Sequence, residues 1–477
     1  MQRTKIVCTI GPATNTREKM RALMQAGMDV ARVNFSHGDQ ATHRETIARL
    51  RDVASQERCL IGIIADLQGP KLRVGDIENE PLELQEGELV TLSAAAQSGP
   101  ENEIPVPHPD LLRDLHAGQT ILLDDGTLAL TVERHVSAGR LAARVITGGM
   151  LTSHKGINVP GARLSFATLT EKDKKDAAFA LEQGVDYFAL SFVRRAADVR
   201  ELRHYLETQG AEAPSIIAKI EKPEALSDFE AILDCADGIM VARGDLGVET
   251  PAEEVPFHQK NLIHRCNQVG KPVITATQML QSMMEHPRPT RAEASDIANA
   301  ILDGTDAVML SGETAVGKYP VKSTETMAAI CENAEAHLPS SRLVEGADTC
   351  HEVVTEAISS SAVAIANEVK AEAIITATMS GTTARMVARH RPAVPIIAVT
   401  PNQRTLYRLA LVWGVVPVEV GEFKTTDEMV EMMVRAAQQE GLVAWGDRGV
   451  LTAGIPFGQG KKTNMLKVHV VGESEEI

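Results

Sequence analysis

IMVARGDLGVE occupies positions 239–249. Ile239 to Val241 are apolar enough for a buried strand, but the run then breaks into Arg243, Gly244, Asp245 and Gly247. Similar short β-branched runs recur along the chain: KIVCTIG (5–11), DVARVNF (29–35), IGIIADL (61–67), DYFALSF (186–192), SIIAKIE (215–221), GIMVARGD (238–245), KPVITATQ (271–278) and DAVMLSGE (306–313). Amphipathic stretches of helical length lie between most of them. In TEKDKKDAAFALEQG (170–184), Thr170 can cap a helix, Asp173 stands near the capping-box position and Gly184 can end it. Eight repeats of strand and helix predict an α/β protein built on a (β/α)8 TIM barrel.

The rhythm is interrupted between Leu67 and Asp186. There Pro81 to Ser93, Thr120 to Arg134 and Leu141 to Thr147 alternate apolar and polar residues, with turns such as DDG (124–126). This predicts a small β-barrel domain inserted after strand three, at the end of the barrel where active sites sit, and so placed to act as a lid. Beyond Leu338 to Asp348, the runs AIITAT (373–378), PIIAVT (395–400), VVPVEV (415–420), GVLTAG (449–454) and LKVHVV (466–471) predict a separate α/β domain. The expected division is barrel 1–69 and 163–338, lid 70–162, and C-terminal domain 339–477.

Hydrophobic residues make up 44% and charged residues 23%, a soluble globular balance. A net charge of −16 and only 3% aromatics argue against nucleic acid as a partner. The chain opens on a strand rather than a leader, and no apolar run is long enough to span a membrane, so a cytoplasmic protein is expected. Cys8, Cys59, Cys235, Cys266, Cys331 and Cys350 form no C-x-x-C pair and read as reduced thiols.

Six of the eight runs end on charge or hydroxyl. Residues i and i+2 of a strand share a face. Arg32, Asn34 and Ser36 therefore go together, as do Lys219 with Glu221, Thr275 with Thr277, and Arg243 with Asp245 if that strand persists. Ser191 ends strand four, and Ser311 with Glu313 ends strand eight. Glu221 and Asp245, hard oxygen donors on neighbouring strands, suit Mg2+ or Mn2+; the plainer alternative is a pair of acids neutralised by Lys219. Arg32, Arg73, Lys219 and Arg243 form a candidate anion cradle in an acidic protein. There is no Walker A loop, and GQGKKT (458–463) has the wrong spacing.

The stretches TKIVCTIGPAT, ARVNFSHG, ADLQGPKLR, KGINVPG, IAKIEKPEAL, DGIMVARGDLGVE, GKPVITATQML and PRPTRAEASDIANAILDGTDAVMLSGETAVGKYP resemble pyruvate kinase over nearly the whole chain. The resemblance implies phosphoryl transfer from phosphoenolpyruvate to ADP, giving pyruvate and ATP. It implies that Lys219 stabilises the phosphoryl group in flight, that Glu221 and Asp245 hold the divalent metal, and that Arg32 and Arg73 contact the phosphate. The backbone from Ala242 through Arg243 to Gly244, with Thr277, would hold the substrate carboxylate. Ser311 and Thr277 would belong to the proton route. Asn34 and His37 would face the nucleotide, with Asp124 and Lys155 closing over it.

Members of that family that need K+ carry Glu where this chain has Lys71, and Thr-Lys where it has Leu67 and Gln68. The chain resembles the K+-independent type: a tethered ammonium would replace a cation near Asn34, Ser36 and Asp66. The loop TATMSGTTAR (376–385) resembles the family's sugar-phosphate effector site, with Thr378, Ser380, Gly381 and Thr383 matching and Lys461 facing them. Fructose bisphosphate, a hexose or pentose monophosphate, and AMP all stay open as effectors. The resemblance also implies a homotetramer. The alternatives are a metal-dependent lyase or aldolase acting on pyruvate enolate, and a sugar-phosphate sensor without catalysis.

Overall fold

The computed structural model describes residues 2–97, 103–162, 164–338, 353–456 and 462–473. Eight parallel strands close a barrel: Lys5–Ile10, Val30–Asn34, Gly62–Asp66, Tyr187–Leu190, Ile216–Ile220, Gly238–Ala242, Val273–Ala276 and Ala307–Leu310. Each pairs with its chain neighbours, and Lys5 of strand one lies opposite Ala307 of strand eight.

Side-chain alternation divides every strand between two cores. Ile6, Cys8, Val33, Ile63, Phe188, Ile220, Val241 and Leu310 pack outward with the helices. Val7, Val30, Ile64, Tyr187, Ala189, Ile217, Met240, Ile274, Ala276 and Met309 form a separate inner cluster. The parity of that cluster, carried towards the strands' C-terminal ends, aims Thr9, Arg32, Asp66, Ser191, Lys219, Glu221 and Ser311 inward. The barrel is thus apolar at its floor and polar at its mouth.

The helix Glu171–Glu182 has the expected capping box between Thr170 and Asp173. The stretch between strands three and four forms a six-stranded sheet and a two-stranded pair. The neighbours in both are antiparallel except for Leu89–Ser93 with Glu103–Pro105. It has its own core around Leu92, Leu123, Leu130 and Leu141. Asp124, Asp125 and Gly126 all have positive φ (51°, 53° and 87°), which turns the chain sharply at the tip facing the barrel. The C-terminal unit is a five-stranded sheet ordered Val415–Glu419, Ile396–Thr400, Ala373–Ala377, Arg448–Ala453 and Met465–Val470, the last strand antiparallel. The expected boundaries at 163 and 339 fall on residues outside the described set. The described cysteines are unpaired.

The barrel floor is not capped by the barrel itself. Ala410 and Leu411 of the C-terminal unit complete the inner cluster. Around this plug, Arg391 donates to Asp306 Oδ1 (3.0 Å), Asn267 Oδ1 (2.7 Å) and Gly304 O (2.6 Å). The guanidiniums of Arg3 and Arg391 lie 5.2 and 4.9 Å from the ring centroid of buried Trp413. His390 is buried at the same seam, its Nε2 3.5 Å from Glu356, a carboxylate that already pairs with Arg389. Burial, with Arg389 adding to it, pushes the imidazole down to about 4.

Two expectations follow. At Gly11 an added Cβ would stand 2.6 Å from Ala315 O, so Gly11→Ala should cost about 1–3 kcal/mol in a urea titration. His390 stays neutral when folded but takes a proton near its ordinary value when unfolded. Its contribution is therefore complete above about pH 6.5 and is lost as pH falls towards 4. The stability advantage of the native chain over His390→Gln should shrink by about 2–3 kcal/mol across that window, measured by urea unfolding at a series of pH values.

Candidate active site

The inward polar residues at the barrel mouth converge on one ammonium. Lys219 Nζ donates to Ser191 Oγ (2.8 Å) and lies 2.9 Å from Glu221 Oε1 and 3.3 Å from Asp66 Oδ1. Burial alone would lower its pKa, but the two carboxylates outweigh that and hold the ammonium above its ordinary value. Asp66 also accepts from Arg32 Nε (2.6 Å), and Arg32 Nη1 donates to Thr9 Oγ1 (3.0 Å). Burial resists ionisation of Asp66, yet Lys219 and Arg32 bring its carboxyl below the usual range.

Glu221 behaves oppositely. Its Oε2 accepts from Phe192 N (2.7 Å), yet burial, aided by the charge of Asp245, raises its carboxyl despite Lys219. Two acids short of positive charge are what a hard divalent cation requires. Among the described residues no group of three metal-binding side chains gathers, so Glu221 and Asp245 would leave most positions to substrate and water.

Strand six ends at Ala242, and a helix begins at once, Arg243–Glu249. This corrects the expectation that Arg243 shares a face with Asp245 and joins the anion cradle. Strand parity turns Arg243 outward, where it donates to Asp296 Oδ2 (2.6 Å), Thr277 O (2.7 Å), Gln278 O (3.3 Å) and Ala276 O (3.4 Å). These bonds clamp the end of strand seven, where Thr277 and Gln278 have φ of +68° and +54°. A β-branched residue in the left-handed region is strained and needs such support. The kink also corrects the pairing of Thr277 with Thr275. Thr275 is buried against Thr305, while Thr277 Oγ1 accepts from Gly244 N (2.7 Å) at the new helix terminus.

Ser311 Oγ is buried without a hydrogen-bond partner, and its backbone N donates to Glu313 Oε2 (2.7 Å). Asn34 Oδ1 accepts from Ser36 N (3.1 Å). Beside them, burial lowers the pKa of His37, and the charges of Lys71, Arg73, Arg32 and Lys172 add to the effect, marking a cationic patch. Arg73 Nη1 donates to His154 O (2.6 Å), a bond within the insert. Asp124 and Lys155 pair with each other at 2.9 Å. The Lys71 side chain makes no hydrogen bond or ion pair with Asp66, Asn34 or Ser36. It lines the cleft between rim and insert with Asp125, Asn158, Phe192, Lys222 and Asp245. There burial and Arg73 lower its pKa against the pull of Asp245 and Asp125.

A latch between insert and barrel was not foreseen. Asn158 Nδ2 donates to Glu249 Oε1 (2.8 Å), which Lys222 also engages. Glu249 closes the stretch IMVARGDLGVE, but its spacing assigns it no role; it is a buried acid at the end of a seven-residue helix. In the sequence Ser191 reads only as a strand end, although its hydroxyl receives the central ammonium.

A barrel whose mouth holds a fixed ammonium, an under-neutralised acid pair and arginines, beneath an inserted domain, has the charge arrangement that a phosphotransferase needs. Comparison with known proteins makes the assignment particular. A family model described as "Pyruvate kinase, barrel domain" matches residues 1–324, and one described as "Pyruvate kinase, alpha/beta domain" matches 356–469. A pyruvate kinase of Geobacillus stearothermophilus is 50% identical over 478 residues, covering 99% of this chain and 81% of the relative. One of Clostridium acetobutylicum is 44% identical, covering 99% and 100%. The solved structure of a pyruvate kinase from Cryptosporidium parvum superposes with a TM-score of 0.91 at 35% identity, covering 98% of this chain and 96% of that one. The chain belongs to the pyruvate kinase family, and it transfers the phosphoryl group of phosphoenolpyruvate to ADP.

Because the Arg243 fork supports the strained Thr277 backbone, Arg243→Lys should keep the charge facing Asp296 yet release Thr277. The expected result is a KM for phosphoenolpyruvate raised about tenfold or more, with a smaller change in the KM for ADP, read from steady-state kinetics.

Proposed function

We propose that the chemistry centres on Lys219, and the observation that carries this reading is its buried ammonium held between Asp66 and Glu221. Lys219 meets the phosphoryl group as it leaves the enol oxygen of phosphoenolpyruvate. Arg32 and Arg73 orient that group, and the β-phosphate oxygen of ADP receives it. The backbone amides at Gly244, following Ala242 and Arg243, and the Thr277 hydroxyl hold the substrate carboxylate. The enolate left behind takes a proton at carbon through Ser311 and Thr277; the unpartnered Ser311 hydroxyl supports this role.

Mg2+ or Mn2+ fits Glu221 and Asp245 because burial and mutual charge raise the Glu221 carboxyl. When bound, the ion would supply neutralisation of the transferring phosphoryl charge. Asn34 and His37 take the nucleotide side, where the cationic patch suits its phosphates. The Asp124–Lys155 pair closes from the lid, and Asn158 on Glu249 holds the lid down and keeps water out. With the lid at 70–162, the barrel comprises 1–69 and 163–338, and the C-terminal domain 339–477.

Lys71 stands in for K+ by placing a tethered charge over the cleft beside Asp245, rather than by touching Asp66, Leu67 or Ser36. A phosphorylated effector would rest on Thr378, Ser380, Gly381 and Thr383. Gly381 N donates to Thr378 Oγ1 (2.9 Å), and Thr383 meets Thr463 (2.8 Å). Lys461 lies outside the described residues. A homotetramer is consistent with the strand Met465–Val470, which stands at the edge of the sheet among the described residues and exposes Val468. No helix among the described residues is long and apolar enough to cross a membrane, and a cytoplasmic location accords with a glycolytic activity.

Lys219→Met should lower turnover of phosphoenolpyruvate with ADP by roughly 10³–10⁵-fold; unchanged turnover would remove Lys219 from the phosphoryl step. The native chain should turn over without K+, and Lys71→Glu should acquire a K+ requirement in the same assay. Loss of native turnover on omitting K+ would overturn the role given to Lys71.

A further inference from the structure

A second cleft, of about 420 Å³, opens at the opposite end of the barrel, between the N-terminal ends of strands four and five and the C-terminal helix Gln403–Leu409. Its size falls within the range of small-molecule sites. Three guanidiniums, Arg51, Arg404 and Arg408, line it against two carboxylates, Asp186 and Glu212. In a chain of net charge −16, this local excess of cations stands out.

The three arginines are not equivalent. Arg51 is spent: it donates to Asp186 Oδ2 (2.8 Å) and Ile61 O (2.7 Å), and its guanidinium lies 4.2 Å from the Tyr407 ring centroid. That stack presents a flat, rigid wall. Arg408 Nη2 donates to Ala213 O (2.7 Å), and among the described residues no carboxylate pairs with it within 4.0 Å. Arg404 Nη1 donates to Glu212 O (2.9 Å), while its approach to the Glu212 carboxylate is loose (3.6 Å) and both side chains are largely exposed. An arginine carries five N–H donors, so Arg404 and Arg408 keep most of theirs for an incoming anion. Their Cα positions are fixed because Tyr187 OH donates to Arg408 O (2.8 Å) and Thr405 Oγ1 to Met379 O (2.7 Å).

We propose that this cleft binds a small phosphate monoester carrying a planar ring, with the phosphate on Arg404 and Arg408 and the ring against the Arg51–Tyr407 wall. The paired guanidinium forks match phosphate geometry, and the stacked wall favours a flat group over a tetrahedral one. The site is separate from the loop 378–383 and does not depend on the roles given to the residues of the barrel mouth.

Titration calorimetry of the full chain with phenyl phosphate and with methyl phosphate tests it, in low salt and without substrates. Saturable 1:1 binding of phenyl phosphate is expected, at least threefold tighter than methyl phosphate. Ser380→Asp should leave that affinity unchanged, Arg404→Gln should weaken it at least threefold, and Arg404→Gln with Arg408→Gln at least tenfold. Should the double variant fail to fold, the Arg404→Gln single variant decides, because that side chain is 59% exposed and buries little. Absence of saturable binding overturns the site, as does affinity unaffected by Arg404→Gln or abolished by Ser380→Asp. Equal affinity for the two phosphates overturns the planar-ring assignment.

Discussion

A buried ammonium is costly unless its charge is answered nearby. Lys219 is answered by Asp66, Glu221 and the Ser191 hydroxyl, each from the end of a different strand or, for Glu221, two residues along its own. That cluster constrains much else. Asp66 must be ionised, so Arg32 stands against it. Glu221 cannot be neutralised by Lys219 alone, because Asp245 adds a second negative charge. The Glu221–Asp245 pair is therefore left short of positive charge. Pairing among the fixed groups keeps Lys219 charged, and the shortfall makes the site receptive.

The barrel supplies this cluster through one geometric rule. Inward parity runs from apolar residues at the floor to polar residues at the mouth, so a single strand both seals the interior and delivers a functional group. Strand four shows this in three residues: Tyr187 and Ala189 lie in the inner core, and Ser191 contacts Lys219. The floor needs a plug from elsewhere, which Ala410 and Leu411 provide, and so the C-terminal unit is built into the barrel's core. The same seam carries Trp413 within reach of two guanidiniums, and Tyr187 bonded to the backbone of the C-terminal helix. At the other end, the insert meets the barrel through a polar contact, Asn158 to Glu249. A hydrogen bond at the edge of a cleft leaves a part freer to move than the apolar burial that holds the floor.

The eight strands were legible because buried parallel strands are written as short β-branched runs between helices. Lys219 with Glu221, and Arg32 with Asn34, were legible because their strands end at Asn34 and one residue before Glu221, so alternation still holds there. Arg243 and Thr277 show where that reasoning stops. Alternation assigns a face only while the backbone stays extended. Strand six turns into a helix at Arg243, and strand seven turns left-handed at Thr277. The first change sends a guanidinium outward to become a clamp, and the second brings Thr277 to the Gly244 amide.

The sequence by itself determined the architecture, the family and most of the groups at the barrel mouth, since periodicity and local motifs depend on residues near one another in the chain. Tertiary structure alone decided which of those groups pair and which remain available. Asp124 meets Lys155, Lys71 shares a cleft with Asp245, and Glu249 receives Asn158 of the insert from 91 residues away in the chain. The floor cleft has the same origin: Arg51, Asp186, Glu212 and Tyr407 are hundreds of residues apart at the extremes and carry no shared pattern. Charge and burial are set by neighbours in space, and those neighbours exist only after the barrel closes and the C-terminal unit seals its floor.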